Sequence, residues 1–175
     1  MGMFTVSDFN SFDDLLMDQL RNLYDAEHRL TDALPKMAAA AVTRGLKEAF
    51  LSHLEQTKNH VRRLESAFAA LGKNPERGTC QAMKGLISDG SHVIEAKGDS
   101  QVRDAALIAA AQCVEHYEMA AYGSARAFAK QLNLADVAAL LQQTLDEERA
   151  ADQKLTGLAE TEINYPAAKR SVARV

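Results

Sequence analysis

The sequence predicts an all-α protein, a four-helix bundle with one long crossover, on three observations. The 175 residues are 47% hydrophobic and 25% charged, with no Trp and only three Pro, and they are rich in good helix formers such as Ala, Leu, Glu, Lys, Gln and Arg. Four long segments repeat apolar residues in alternating steps of four and three, the spacing of a helix face packed in a bundle. Turn signals divide these segments into two helix pairs joined by a long middle stretch.

Helix A begins near Ser7 or Ser11, where "SDFNSFDD" offers capping side chains and acidic residues suited to the positive end of a helix dipole, and it runs to about residue 41. Its seam is Leu16, Leu20, Leu23, Glu27, Leu30 and Leu34, so a glutamate takes one apolar seat. Pro35 lacks a backbone donor and is expected to kink or end the helix. Gly45 marks the turn into helix B, about 46 to 71, whose apolar face reads as Leu51, Leu54, Val61, Leu64, Phe68 and Leu71 with Glu55 at its border. "LGKNPERG" stops helix B, and residues 79 to 97 form a shorter amphipathic crossover helix around Met83, Leu86, Ile87 and Ile94.

Helix C, about 100 to 132, carries Leu107, Ala111, Val114, Glu118, Ala121, Ala125, Phe128 and Leu132, with Glu115 on the neighbouring row. Helix D, about 134 to 162, repeats the pattern through Val137, Leu141, Thr144, Glu148, Ala151, Leu155 and Leu158. Residues 163–175 are polar and are expected to fray. Each half is then a helix pair bearing carboxylates, a weak internal duplication. Short A–B and C–D turns with a long B–C connection are the connectivity of ferritin-like folds, and the length suits a single domain over 1–175 with its core at about 8–162.

Several functions are excluded by composition. Net charge is −4 and no Lys/Arg cluster dominates a face, so a nucleic-acid partner is not expected. No stretch approaches the roughly 20 uncharged apolar residues of a membrane span, and "MGMFTVSDFNSF" lacks the basic start and apolar run of a signal peptide; a soluble, cytoplasmic protein is expected. Cys80 and Cys113 stand far apart with no C-x-x-C, which rules out a zinc ribbon, a rubredoxin-type iron site and a disulfide framework. Cys113 reads as a small buried hydrophobe.

The carboxylates on the seams carry the chemistry. A buried, unpaired carboxylate costs several kcal/mol or more, so each must be protonated, paired with a cation or bound to a metal. Residues three or four apart share a helix face, which joins Glu115 to Glu118 and Glu148 to Asp152. With Glu27 and Glu55 these make six acids facing one core, and their mutual repulsion at low dielectric becomes ligation if two metal ions sit among them. Oxygen donors suit iron or manganese better than zinc. Tyr24 and Tyr122 lie on inward rows where a hydroxyl can bond a ligand oxygen, and Lys58, three after Glu55, can serve as an internal counter-ion. His28, His53, His60 and His116 fall off the inward rows in this register and His92 belongs to the crossover helix, so none is expected to ligate.

The segments "LYDAEHRL", "SHLEQTKNHVRRLE", "VRDAALIAAAQCVEHYEMAAYG" and "LLQQTLDEERAADQKL" resemble the YciE/YciF family of ferritin-like bacterial stress proteins over about residues 8 to 160. The resemblance implies a di-metal centre, while the family's own activity is undefined. The spacing is also similar to the rubrerythrin-type di-iron pattern of Glu, E-x-x-H, E-x-x-E and E-x-x-x-H on successive helices. Glu27, Glu55, Glu115, Glu118 and Glu148 fit that pattern, whereas Lys58 and Asp152 stand where it has His. Asp152 still ligates as a carboxylate; Lys58 does not while charged.

These resemblances imply two iron ions, or manganese, bridged by Glu55, Glu118 or both, and an oxidase- or peroxidase-type reaction with dioxygen or peroxide, or simple metal sequestration. A homodimer packed through exposed apolar faces is expected. The rival expectation is a metal-free structural or interaction bundle in which Lys58 neutralises the buried acids.

Overall fold

A computed structural model of the protein describes residues 9–172, and every element among them is helical. α1 spans Phe12–Ala40, α2 Arg44–Ala70, α3 Gln81–Glu95, α4 Ser100–Gln131, α5 Ala135–Leu158 and α6 Asn164–Val172, with a π-helical turn over Ala159–Ile163 between the last two. α1 packs on α2 and α4, α5 packs on α4 and α2, and α3 lies against α1 and α4. This closed ring with its α2–α4 crossover is the ferritin-like four-helix bundle expected from the turn pattern.

Local chemistry sets the helix ends. Ser11 Oγ accepts from Asp14 N at 3.1 Å and opens α1; Ser7, the other expected start, lies outside the described residues. α2 ends with Gly72 at φ 66°, which lets Gly72 N donate to Ala69 O at 2.9 Å and Lys73 N to Phe68 O at 3.0 Å. At the end of α4 Asn133 takes the same left-handed role, with φ 58° and a Leu134 N to Ala129 O bond of 2.9 Å. Gly45 is small because α2 starts against the π-turn, where a Cβ would come within 3.0 Å of Glu162 Oε2.

α1 continues through Pro35 and ends at Ala40, close to its expected end, because Leu34, Met37 and Ala38 are buried and their packing outweighs the lost backbone bond. Three expectations are corrected. The tail does not fray within the described residues: it is helical, with Ile163 and Ala167 buried. Helix B is rotated from the expected register. Leu51 is 46% exposed, and the buried face of α2 runs through Leu46, Phe50, His53, Thr57, His60, Leu64 and Phe68. Cys113 is exposed as well, while Cys80 is buried and caps α3 through Met83 N at 3.3 Å.

Buried apolar side chains form two clusters, one around Leu20, Leu64, Phe68, Leu141 and Leu145, the other around Leu34, Leu46, Phe50, Leu107 and Leu155. The polar layer that separates them is built by the middle turns of the four long helices. Asp25, just beside that layer, ties the crossover to α1: its oxygens accept from Arg29 Nε at 2.7 Å, Cys80 N at 2.9 Å and Arg77 Nη2 at 2.9 Å. Burial pushes its carboxyl up, but these donors prevail and hold it below its ordinary value.

Replacing Asp25 orphans the Cys80 N–H and two guanidinium groups. Asp25→Ala is therefore expected to lower the unfolding free energy by about 2 to 3 kcal/mol, read from urea midpoints. A depressed acid stabilises the fold above its unfolded pKa of about 3.9 and loses that contribution as pH falls through its lower folded value, so the gap between wild type and variant should close in strong acid.

Candidate metal centre

The middle of α1 contributes Glu27, α2 contributes His53 and His60, α4 contributes Glu115 and Glu118, and α5 contributes Glu148, all buried. Their ligand atoms fall into two groups, His53 with Glu115, Glu118 and Glu148, and Glu27 with His60 and Glu148; within each group the atoms lie within 4.8 Å of one another. Glu148 belongs to both. His60 Nδ1 lies 2.9 Å from Glu148 Oε1 and 3.4 Å from Glu27 Oε1, while His53 Nε2 lies 3.4 Å from Glu115 Oε1 and 3.5 Å from Glu148 Oε2.

These residues fit a metal on the chemistry of their unused atoms. Glu27 Oε2, His53 Nε2, His60 Nδ1, Glu115 Oε2 and both carboxylate oxygens of Glu118 and Glu148 are buried without a hydrogen-bond partner. A native interior rarely leaves such atoms unmatched, and here they converge. The outer nitrogens of both histidines are engaged. His53 Nδ1 bonds Gln56 Oε1 at 3.2 Å, and His60 Nε2 bonds Glu147 Oε2 at 2.8 Å. Arg63 grips Glu147 through Nη2 at 2.6 Å and Nη1 at 3.0 Å, so the acceptor itself is fixed. An imidazole whose far nitrogen donates outward presents its near nitrogen as a free ligand. Tyr122 OH donates to Glu27 Oε1 at 2.5 Å and orients that carboxylate.

Electrostatics show the same crowding. Burial pushes the Glu118 carboxyl well up, and the charges of Glu27 and Glu148 push it further; Glu115 is raised likewise by burial and then by Glu148. Glu27 is raised by burial, with His60 opposing. Burial also raises Glu148, but His60 and His53 overcome it and hold Glu148 below its ordinary value. Burial disfavours a charged His60, yet Glu27 and Glu148 prevail and push its pKa up to about 11.

Of the residues picked from sequence, Glu27, Glu115, Glu118 and Glu148 are brought together, and Tyr122 stands beside Glu27. Glu55 is not among them: its side chain is 70% exposed and pairs with Lys58 Nζ at 2.6 Å on the outer surface. Lys58 therefore cannot be the internal counter-ion, because it sits on the same outward row of α2. Asp152 is turned toward α4, where its Oδ1 accepts from Gln112 Nε2 at 3.0 Å and lies 3.4 Å from His116. Tyr24 donates to Glu65 Oε1 at 3.0 Å, away from the carboxylates. A register that turns Glu55 inward turns His53 and His60 outward, and α2 adopts the reverse. The usable signal was their spacing of seven, two helical turns, with the small Thr57 between them on the same face.

Fold and cluster together define a ferritin-like bundle with a buried carboxylate–histidine centre able to hold metal ions. The chain belongs to the YciF family: residues 11–168 match the family described as "Domain of unknown function (DUF892)". It is 42% identical over 162 residues to protein YciF of Escherichia coli (strain K12), covering 92% of this chain and 98% of that protein. The crystal structure of the E. coli stress protein YciF superposes with a TM-score of 0.86 at 43% identity, over 89% of this chain and 99% of that one. YcfI of Rhodopseudomonas palustris, described with a provisional structural role, superposes with a TM-score of 0.84 at 41% identity, over 87% and 98% of the two chains.

For the metal-free chain the raised groups set a pH dependence. Glu27, Glu115, Glu118 and His60 all bind protons more tightly folded than unfolded, so their contribution is full below the unfolded values, about 4.3 for Glu and 6.5 for His, and is lost as pH rises. Glu148 has the opposite sign, but it acts only in acid; His28, lowered chiefly by burial, opposes them near neutrality. The melting temperature of chelator-treated protein is expected to fall between about pH 5.5 and 8.5, and Glu118→Gln is expected to flatten that slope.

Proposed function

We propose that the protein is a di-metal carboxylate protein, most readily a di-iron one, that binds its ions during stress and reacts with dioxygen or peroxide. The observation that supports this best is the set of partnerless ligand atoms from four helices, two nitrogens and the rest carboxylate oxygens, converging on two overlapping positions. Carboxylates and imidazoles together suit iron or manganese. Bound there, such ions supply Lewis acidity and one-electron chemistry.

The chain's own residues do the rest. Glu27, His60 and Glu148 would hold one ion, and His53, Glu115, Glu118 and the same Glu148 would hold the other. The Arg63–Glu147–His60 chain fixes the imidazole ring and keeps its proton on Nε2. The two apolar clusters keep water from the ligand atoms and so strengthen every charge interaction between them. Thr57, fully buried between the two histidines and with its Oγ1 unpartnered, offers a hydroxyl on the same face.

A second reading is a metal-free structural bundle, in which protonated His60 and protonated glutamates neutralise the core. Its support is the 2.9 Å approach of His60 Nδ1 to Glu148 and the structural role suggested for YcfI. Metal analysis separates the two. After growth in iron or dialysis against it, about two ions per chain are expected, whereas fewer than about 0.2 would favour the structural reading. Glu147→Ala, which frees the outer face of His60, should weaken metal binding by roughly 10- to 100-fold, while Glu55→Ala should leave it unchanged; competition with a chromophoric chelator reads both.

A further inference from the structure

The six clustered residues are not equally sealed. Glu27, His60, Glu118 and Glu148 are 0% exposed, whereas His53 retains 6% and Glu115 3%. The opening is visible between α2 and α5. A narrow cleft of about 30 Å³ is lined by exposed Lys154, half-buried Gln56 and Ala151, and buried Ala49, His53 and Glu115. Since one water needs about 10 to 15 Å³ on this measure, the cleft holds a molecule of two or three heavy atoms and nothing bulkier. Lys154, the one lysine or arginine of the lining, is exposed, and its charge adds a local attraction for anionic visitors at the entrance.

We propose that this cleft admits the oxidant to the His53–Glu115 end of the centre, and that its bore limits the oxidant to dioxygen, hydrogen peroxide or a molecule of like size, shutting out bulky organic hydroperoxides. Ala151 and Lys154 are then selectivity residues, Ala151 by size and Lys154 by charge. The inference rests on the metal-holding reading above.

The test uses the full chain loaded with cobalt(II), whose visible spectrum reports ligand entry without turnover. Cobalt content is measured first; a chain that takes up none ends the metal reading and this inference with it. With cobalt bound, azide association followed by stopped-flow absorbance should slow about tenfold or more in Ala151→Leu at unchanged cobalt content, and by a smaller, salt-dependent factor in Lys154→Glu. Imidazole, too wide for the cleft, should leave the spectrum unchanged. Ser52→Trp, a change at an exposed lining position, gives the same blockade should Ala151→Leu fail to fold. Equal azide rates in wild type and blocked variants, or ready entry of imidazole, would overturn the proposal while leaving the metal centre standing.

Discussion

The architecture turns on one unbalanced quantity, the negative charge gathered in a dry layer halfway along the bundle. Four glutamates with no exposed surface or almost none face each other there, against two imidazoles. Moving a carboxylate from water to such an interior costs several kcal/mol unless a cation or proton compensates. The metal-free chain meets that demand with protons, on His60 and on raised glutamates. Metal ions would meet it with charge, and the same ligand atoms would then exchange a proton for a cation, so occupancy and protonation are one equilibrium.

What holds the layer in place is its surroundings. Apolar clusters above and below are formed by the same four helices, so each ligand residue has packed turns on both sides and little freedom to swing out. Asp104 accepts from Val42 N at 3.0 Å and Thr43 N at 2.7 Å and so pins the start of α2 to α4, setting the rotation of the helix that carries both histidines. Outer partners then choose the tautomers. Gln56 takes the proton side of His53, and Glu147, locked by Arg63, takes that of His60.

The bundle, its crossover and four of the six clustered residues were legible in sequence, because a glutamate in an otherwise apolar seam is a strong signal at 3.6 residues per turn. α2 departs from its apolar pattern for a physical reason. Leu51 and Leu54 are apolar and four before Glu55 stands one of them, so a face drawn through them brings Glu55 to the core border. The actual face contains His53, Thr57 and His60, polar residues that a hydrophobic pattern counts as surface. A site that is itself polar erases the periodicity of the helix that contributes most nitrogen to it. Asp152 was drawn in by its i, i+4 relation to Glu148, but that spacing carries it about 40° further round α5, toward Gln112 instead of the centre.

The corrected α2 register changes the design of the centre. Patterns with one histidine on each of two helices spread nitrogen evenly, and each helix supplies its own bridging acid. Here α2 supplies both nitrogens and no carboxylate. His53 and His60 lie about 10.5 Å apart along the helix axis by rise alone, yet their ring centroids are only 6.2 Å apart, so the rings lean toward a common point. With α2 giving no oxygen, the carboxylate lying between the two imidazoles must come from the facing helix, and α5 provides it: Glu148 approaches His60 with one oxygen and His53 with the other. One residue on α5 thus couples two nitrogens on α2. The α2–α5 pair therefore forms the hinge of the whole cluster and borders the one edge where the clustered residues keep any exposure.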